Sequence, residues 1–131
     1  MGKLTRAFPF IRPYRDLTEV LSDHKLASLG DSYINFVYSL VLSNHTGKPS
    51  GSKVKGAALA EALREAGLRD FLPSRMTKHM LADAAEALIV YGWLHNCITL
   101  QESVAILGKS QDLVEGLSKL LITVKNRITF P

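Results

Sequence analysis

The chain alternates between apolar stretches with helical spacing and short polar breaks. Leu17 to Ser22 reads as a short helix. Leu26 to Ser43 (LASLGDSYINFVYSLVLS) is the most apolar stretch, and its length and density predict a helix buried on most sides. The polar run from Ser43 to Ser52 predicts a loop. Val54 to Ala66 is amphipathic, with Gly67 placed to cap its C-terminus. Pro73-Ser74 opens the next element, with Ser74 as N-cap of a long Ala-rich helix over Arg75 to Leu94. Thr99 with Glu102 three residues on has the form of a capping box, ahead of a helix with Leu100, Val104 and Leu107 on one face and Gly108 at its end. Gln111 to Val124 closes the series, with Leu113, Leu117, Leu120, Leu121 and Val124 at helical spacing. No strand pattern and no internal repeat interrupts this order, so the predicted fold class is all-α.

Composition narrows the picture. With 131 residues, 47% hydrophobic and 21% charged, the chain has the size and balance of one folded domain spanning 1–131. Sixteen Lys+Arg against 12 Asp+Glu give a net charge of +4, compatible with an anionic partner. The basic residues Lys3, Arg6, Arg12 and Arg15, with Pro9 and Pro13 among them, predict an extended basic arm over residues 1–15, packed through Phe8, Phe10 and Tyr14. A single cysteine, Cys97, excludes an intrachain disulfide and a cysteine-based metal finger and favours a reducing, cytoplasmic setting. Cys97 itself reads as a small core residue. No run of about 18 apolar residues points to a membrane span, and the N-terminal segment lacks the apolar run of a secretory signal. His24, His45, His79 and His95 do not form a zinc pattern, and the glycines do not form a phosphate-binding loop.

Acids fall where packing prefers apolar groups. Asp31, Asn35, Tyr38 and Leu42 share one face of the first long helix; His79, Asp83 and Glu86 share one face of the second. A buried, unpaired carboxylate costs several kcal/mol, so each needs a compensating base, a raised pKa or a cation. Three readings of the residues stand side by side. Asp31 caps a helix restarting at Ser32, or Asp83 pairs with His79, Arg75 or Lys78 on its own helix, or Asp31, Asp83 and Glu86 converge on a hard divalent cation such as Mg²⁺ or Mn²⁺.

Two segments carry a resemblance. Leu26-Ala27-Ser28-Leu29-Gly30-Asp31-Ser32, continued by Tyr33-Ile34-Asn35, resembles the signature helix of the ribonuclease III family. Leu81-Ala82-Asp83-Ala84-Ala85-Glu86-Ala87-Leu88-Ile89 resembles that family's Ala-Asp-x-x-Glu-Ala-Leu helix, in the same order and roughly 50 residues away. Together they cover roughly residues 24 to 95, and the chain is most similar to minimal bacterial or archaeal members. The resemblance implies a helical, Mg²⁺-dependent endoribonuclease, Mn²⁺ being a possible substitute, that cuts double-stranded or structured RNA as a homodimer. It further implies that Asp31, Asp83 and Glu86 hold the metal and carry catalysis, leaving 5′-phosphate and 3′-hydroxyl ends. Asn35, Lys78 and His79 are the supporting residues. Lys48, Lys53, Lys55, Arg69 and Arg75 are the candidate phosphate contacts, with no double-stranded-RNA-binding domain after residue 131. The apolar helix over 33–42 and the last helix are the candidate dimer faces. The chain departs from the pattern at two family acid positions, occupied here by Ala27 and His24. A non-catalytic RNA-binding or assembly module that keeps the fold is the alternative.

Overall fold

The computed structural model describes residues 7–130. Among them are six α-helices and no strand, as the all-α expectation requires. The helices are α1 (Leu17–Leu21), α2 (His24–Thr46), α3 (Gly56–Glu65), α4 (Lys78–Leu94), α5 (Leu100–Lys109) and α6 (Leu113–Arg127), with one 3₁₀ turn at Arg69–Phe71.

Side-chain caps fix most of the starts. Asp16, Asp23, Thr77, Thr99 and Asp112 each accept a hydrogen bond from a backbone N–H of the first turn they precede. Thr99 and Glu102 complete the expected capping box. Two ends use left-handed glycines, Gly47 (φ 76°) after α2 and Gly67 (φ 75°) after α3. At the second, Leu68 N–H donates to the Leu63 carbonyl (3.2 Å) and Gly67 N–H to that of Arg64 (3.0 Å), a Schellman closure.

Helix α4 is the axis of the molecule. Twelve of its residues are buried, from Leu81 to Leu94, and α1, α2, α3 and α6 all pack on it. Its alanines at 82, 84, 85 and 87 keep the rod thin, so neighbouring helices approach closely. The closest approach is at Gly30 of α2. A Cβ there would lie closer than 3.0 Å to the Glu86 carbonyl, so only glycine fits. Gly92 meets the Val124 side chain of α6 in the same way, with Cγ1 only 2.6 Å from where a Cβ would stand.

Several expected boundaries move. Helix α2 continues through Ser43 to Thr46, because Ser39 and Ser43 hydroxyls bond back to the carbonyls four residues earlier (2.7 and 2.8 Å) and leave the backbone helical. It is not buried on most sides: Leu29 is 39% and Phe36 53% exposed. Nor does Asp31 cap a restarted helix, since α2 runs through it unbroken. Helix α4 starts at Lys78 with Thr77 as its cap, in place of a start at Arg75 with Ser74 as cap. The Arg69 guanidinium holds the carbonyls of Pro73 and Ser74, each at 2.7 Å, and keeps this stretch out of the helix. Helix α5 passes Gly108 and ends at Lys109, and α6 runs on to Arg127. Of the basic arm, residues 1–6, including Lys3 and Arg6, lie outside the described residues. The rest is laid on the core: Phe8 packs on Trp93 (5.7 Å) and Tyr14 edge-on to Tyr91 (5.4 Å), while Phe10 stays exposed. Cys97 is half-buried.

The packing at Gly30 has a measurable consequence. Gly30→Ala is expected to lower stability by about 3 kcal/mol, since backbone has to shift to admit the methyl group. Gly51→Ala, where nothing lies within 4 Å, is expected to stay within about 0.5 kcal/mol of the parent. Equilibrium urea unfolding of the two variants compares them directly.

Candidate functional site

The Gly30 contact decides where the acids go. With the backbone of α2 resting on α4 at Glu86, the next side chain along α2, Asp31, reaches the Glu86 carboxyl group at hydrogen-bonding distance. Glu86 is 6% exposed. Burial pushes its pKa up to about 8, helped by the hydrogen bond to Asp31 and by the negative charges of Asp31 and Asp83, while Lys53 pulls the other way. At neutral pH Glu86 therefore keeps its proton.

Asn35, one turn beyond Asp31, has both ends of its amide in use. Its Nδ2 donates to Asp31 Oδ1 (3.2 Å), and its Oδ1 accepts from the backbone N–H of Val54 (2.8 Å). Asp83, one turn before Glu86, faces elsewhere: its Oδ2 lies 3.6 Å from His24 Nδ1 and 3.6 Å from His79 Nε2. Both imidazoles are largely exposed, and both distances exceed a hydrogen bond. The structure thus brings Asp31 and Glu86 together and sets Asp83 beside them, turned toward two histidines. Among the described residues no three His, Cys, Asp or Glu side chains are gathered closely enough to hold one ion. Ala27, one turn before Asp31, is buried.

The basic residues divide by task. Lys48, Lys53 and Lys55 are exposed on the segment between α2 and α3. Lys78 and Arg75 are exposed at and just before the start of α4, with no ion pair among the described residues. Arg69 is committed to the backbone carbonyls of Leu72, Pro73 and Ser74, so its role is to shape the chain ahead of α4. Sequence reasoning missed Ser39 and Ser43, whose hydroxyls bind the Lys-bearing segment. Their four-residue spacing from Asn35 was the available signal. An open groove also flanks His24, walled by Phe10, Arg12, Tyr14 and Leu29.

An all-helical domain that lays an aspartate of one long helix against a buried glutamate of another is a scaffold for paired-carboxylate chemistry. Comparison with family models makes this specific: the model described as Ribonuclease III matches residues 24–128. The chain belongs to the ribonuclease III family. No curated protein matches it.

The raised Glu86 pKa predicts a pH dependence of defined sign. The folded state raises the Glu86 pKa from 4.5 to about 8, so between those values the folded chain holds a proton that the unfolded chain has released. Stability is then greatest below the lower value and falls as pH rises through the window. Metal-free protein is expected to unfold at lower urea at about pH 8.5 than at about pH 5.5. Glu86→Gln is expected to flatten that difference and to exceed the parent in stability at the higher pH. The two proteins differ only at residue 86, so the comparison isolates Glu86.

Proposed function

We propose that this chain is a divalent-metal-dependent endoribonuclease acting on double-stranded or structured RNA. The observation that carries this reading is the Asp31–Glu86 pair, two acids from separate helices brought together with no ion pair to either among the described residues and only Lys53 near enough to act on Glu86. Such a pair is costly with both groups ionised, and a divalent cation is the ligand that would replace its proton. The donors are all carboxylate oxygens, which suits Mg²⁺ or Mn²⁺. Asp31 and Glu86 would hold the ion, with Asp83 joining them by turning from the histidines.

When bound, the ion supplies Lewis acidity toward a phosphate oxygen and a more acidic water. The chain's own residues do the remainder. Asn35 fixes the Asp31 carboxylate through its amide. Asp83 stands beside the pair, 3.6 Å from both His24 and His79. The exposed lysines take backbone phosphates, which gives affinity without sequence readout, so RNA shape selects the substrate. Attack of water on phosphorus with loss of the 3′-oxygen leaves a 5′-phosphate and a 3′-hydroxyl. The reading includes a homodimer, supported by the exposed Leu29 and Phe36 on α2.

A second reading has its own observation. His24 stands at a family acid position and faces Asp83, and Ala27 leaves another such position without a ligand. This favours a non-catalytic RNA-binding module on the same fold. One assay separates the two. With Mg²⁺ and labelled duplex RNA, the endonuclease reading expects cleavage that EDTA abolishes and that Asp31→Asn or Glu86→Gln reduces by about 100-fold or more, since even a group behind a metal ligand is worth about 10- to 100-fold. It also expects Mg²⁺ to raise the melting temperature of the parent and not of Glu86→Gln. RNA binding without cleavage, with activity appearing in Ala27→Glu, would establish the second reading.

A further inference from the structure

The segment that follows α2 turns back at Gly47 and runs along the helix it has just left. Asn35, Ser39 and Ser43 form a row at four-residue spacing on α2, and residues 54, 52 and 50 lie opposite them in turn. Ser43 Oγ accepts from Ser50 N–H (3.0 Å) and approaches the Ser50 carbonyl (3.3 Å). Ser39 Oγ accepts from Ser52 N–H (2.8 Å) and approaches the Ser52 carbonyl (3.1 Å). Asn35 Oδ1 accepts from Val54 N–H (2.8 Å). The registers match for a physical reason. Four helical residues rise about 6.0 Å, and two extended residues span about 6.6 Å, so alternate amides of a strap meet successive turns of a helix.

This strap contributes little to the core. Val54 is its one buried residue, and Pro49 to Lys53 are exposed. Three amide hydrogen bonds thus hold a segment whose packing does not require them. What they do fix is charge. Residues 44 to 60 carry Lys48, Lys53 and Lys55 and no acid. Lys53 lies between the two most tightly held residues, Ser52 and Val54, and its ammonium acts on Glu86.

We propose that the strap is the phosphate anchor of the site, with Ser39 and Ser43 as positioning residues that hold Lys53 beside the Asp31–Glu86 pair to receive an RNA backbone phosphate. This rests on the RNA reading above and adds residues to it. Lys53 alone, on a free loop, would hold phosphate at any orientation. Strapped to α2, it holds phosphate at a fixed distance from the acids, because α2 carries both Asp31 and the serine row. The same rigidity spares the segment the ordering cost that a mobile loop incurs on binding.

The test measures binding of a duplex RNA of about 20 base pairs in EDTA across a range of salt concentrations. Lys53→Ala, an exposed substitution, is expected to weaken binding severalfold and to lower the slope of log affinity against log salt by about 1. The double variant Ser39→Ala/Ser43→Ala changes no charge and is expected to weaken binding to a similar degree. Combined with Lys53→Ala, it is expected to add nothing further. Ser39→Thr, which keeps the hydroxyl, is expected to behave as the parent. An unchanged salt slope in Lys53→Ala overturns the proposal, as do losses that simply add in the combined variant. Should the serine variants unfold, Lys53→Ala still decides by its slope. A parent that binds and cuts RNA while Lys53→Ala does the same sinks the anchor alone, whereas a parent that does not bind RNA sinks the reading on which it rests.

Discussion

The approach of Gly30 to the backbone of Glu86 is the contact on which the rest of the molecule depends. Two helices of ordinary side chains pack with their axes about 8–10 Å apart. Here one helix presents hydrogen in place of a side chain, at a point where a Cβ would strike a carbonyl oxygen. The alanines of α4 on either side of Glu86 allow the same closeness over the neighbouring turns. With the backbones in contact at Gly30, the Asp31 side chain is close enough to hydrogen-bond that of Glu86. Asp31 is delivered onto Glu86. The acid pair is therefore a product of packing, supported by the fully buried Ile34 of α2 and Leu88 and Ile89 of α4.

That delivery has an electrostatic cost, which the chain handles differently at each acid. Glu86 is deepest, and it keeps a proton to pHs where a free glutamate has long lost it. Asp31 is met by an amide that donates to it. Asp83, more accessible, sits by two imidazoles. Among the described residues, none of the three is matched by an arginine or lysine in an ion pair. A purely structural acid cluster would be cheaper with one of those cations beside it. On the reading proposed above, leaving Glu86 protonated keeps the oxygens of the pair open to exchange that proton for a metal ion. The stability given up on that account is a common mark of a functional site.

Much of this was legible in the sequence, and the gaps have physical causes. The helices, the Thr99–Glu102 capping box and the glycine after α3 were readable because each depends on neighbours a few residues apart. The acids shared faces because helical periodicity places them there. The start of α4 was not readable, since it depends on the Arg69 side chain reaching across to carbonyls of a later loop. Polarity alone made Ser43 to Thr46 look like loop, whereas serines on a helix can bond to it and continue it. Gly30 carried the most ambiguous signal. A glycine ahead of an aspartate suggests a helix restart, and only the position of α4 shows it to be a close packing point. The turn of Asp83 toward His24 was invisible for the same reason, because the two residues lie on different helices.

Asn35 joins the two halves of the site, and its geometry explains why acids and lysines are organised as one unit. An amide offers a donor and an acceptor pointing in different directions. The donor here goes to Asp31 and the acceptor to the strap at Val54. An aspartate at this position could accept from Val54 but would repel Asp31. A serine could reach only one partner. The single side chain thus fixes the rotamer of a carboxylate and the register of the segment that carries Lys53. From Asn35 the row continues through Ser39 and Ser43, so the position of the basic strap is measured from the same helix turn that positions the acid pair. A displacement of α2 on α4 would then carry the acid and its neighbouring cation together, preserving the spacing between them.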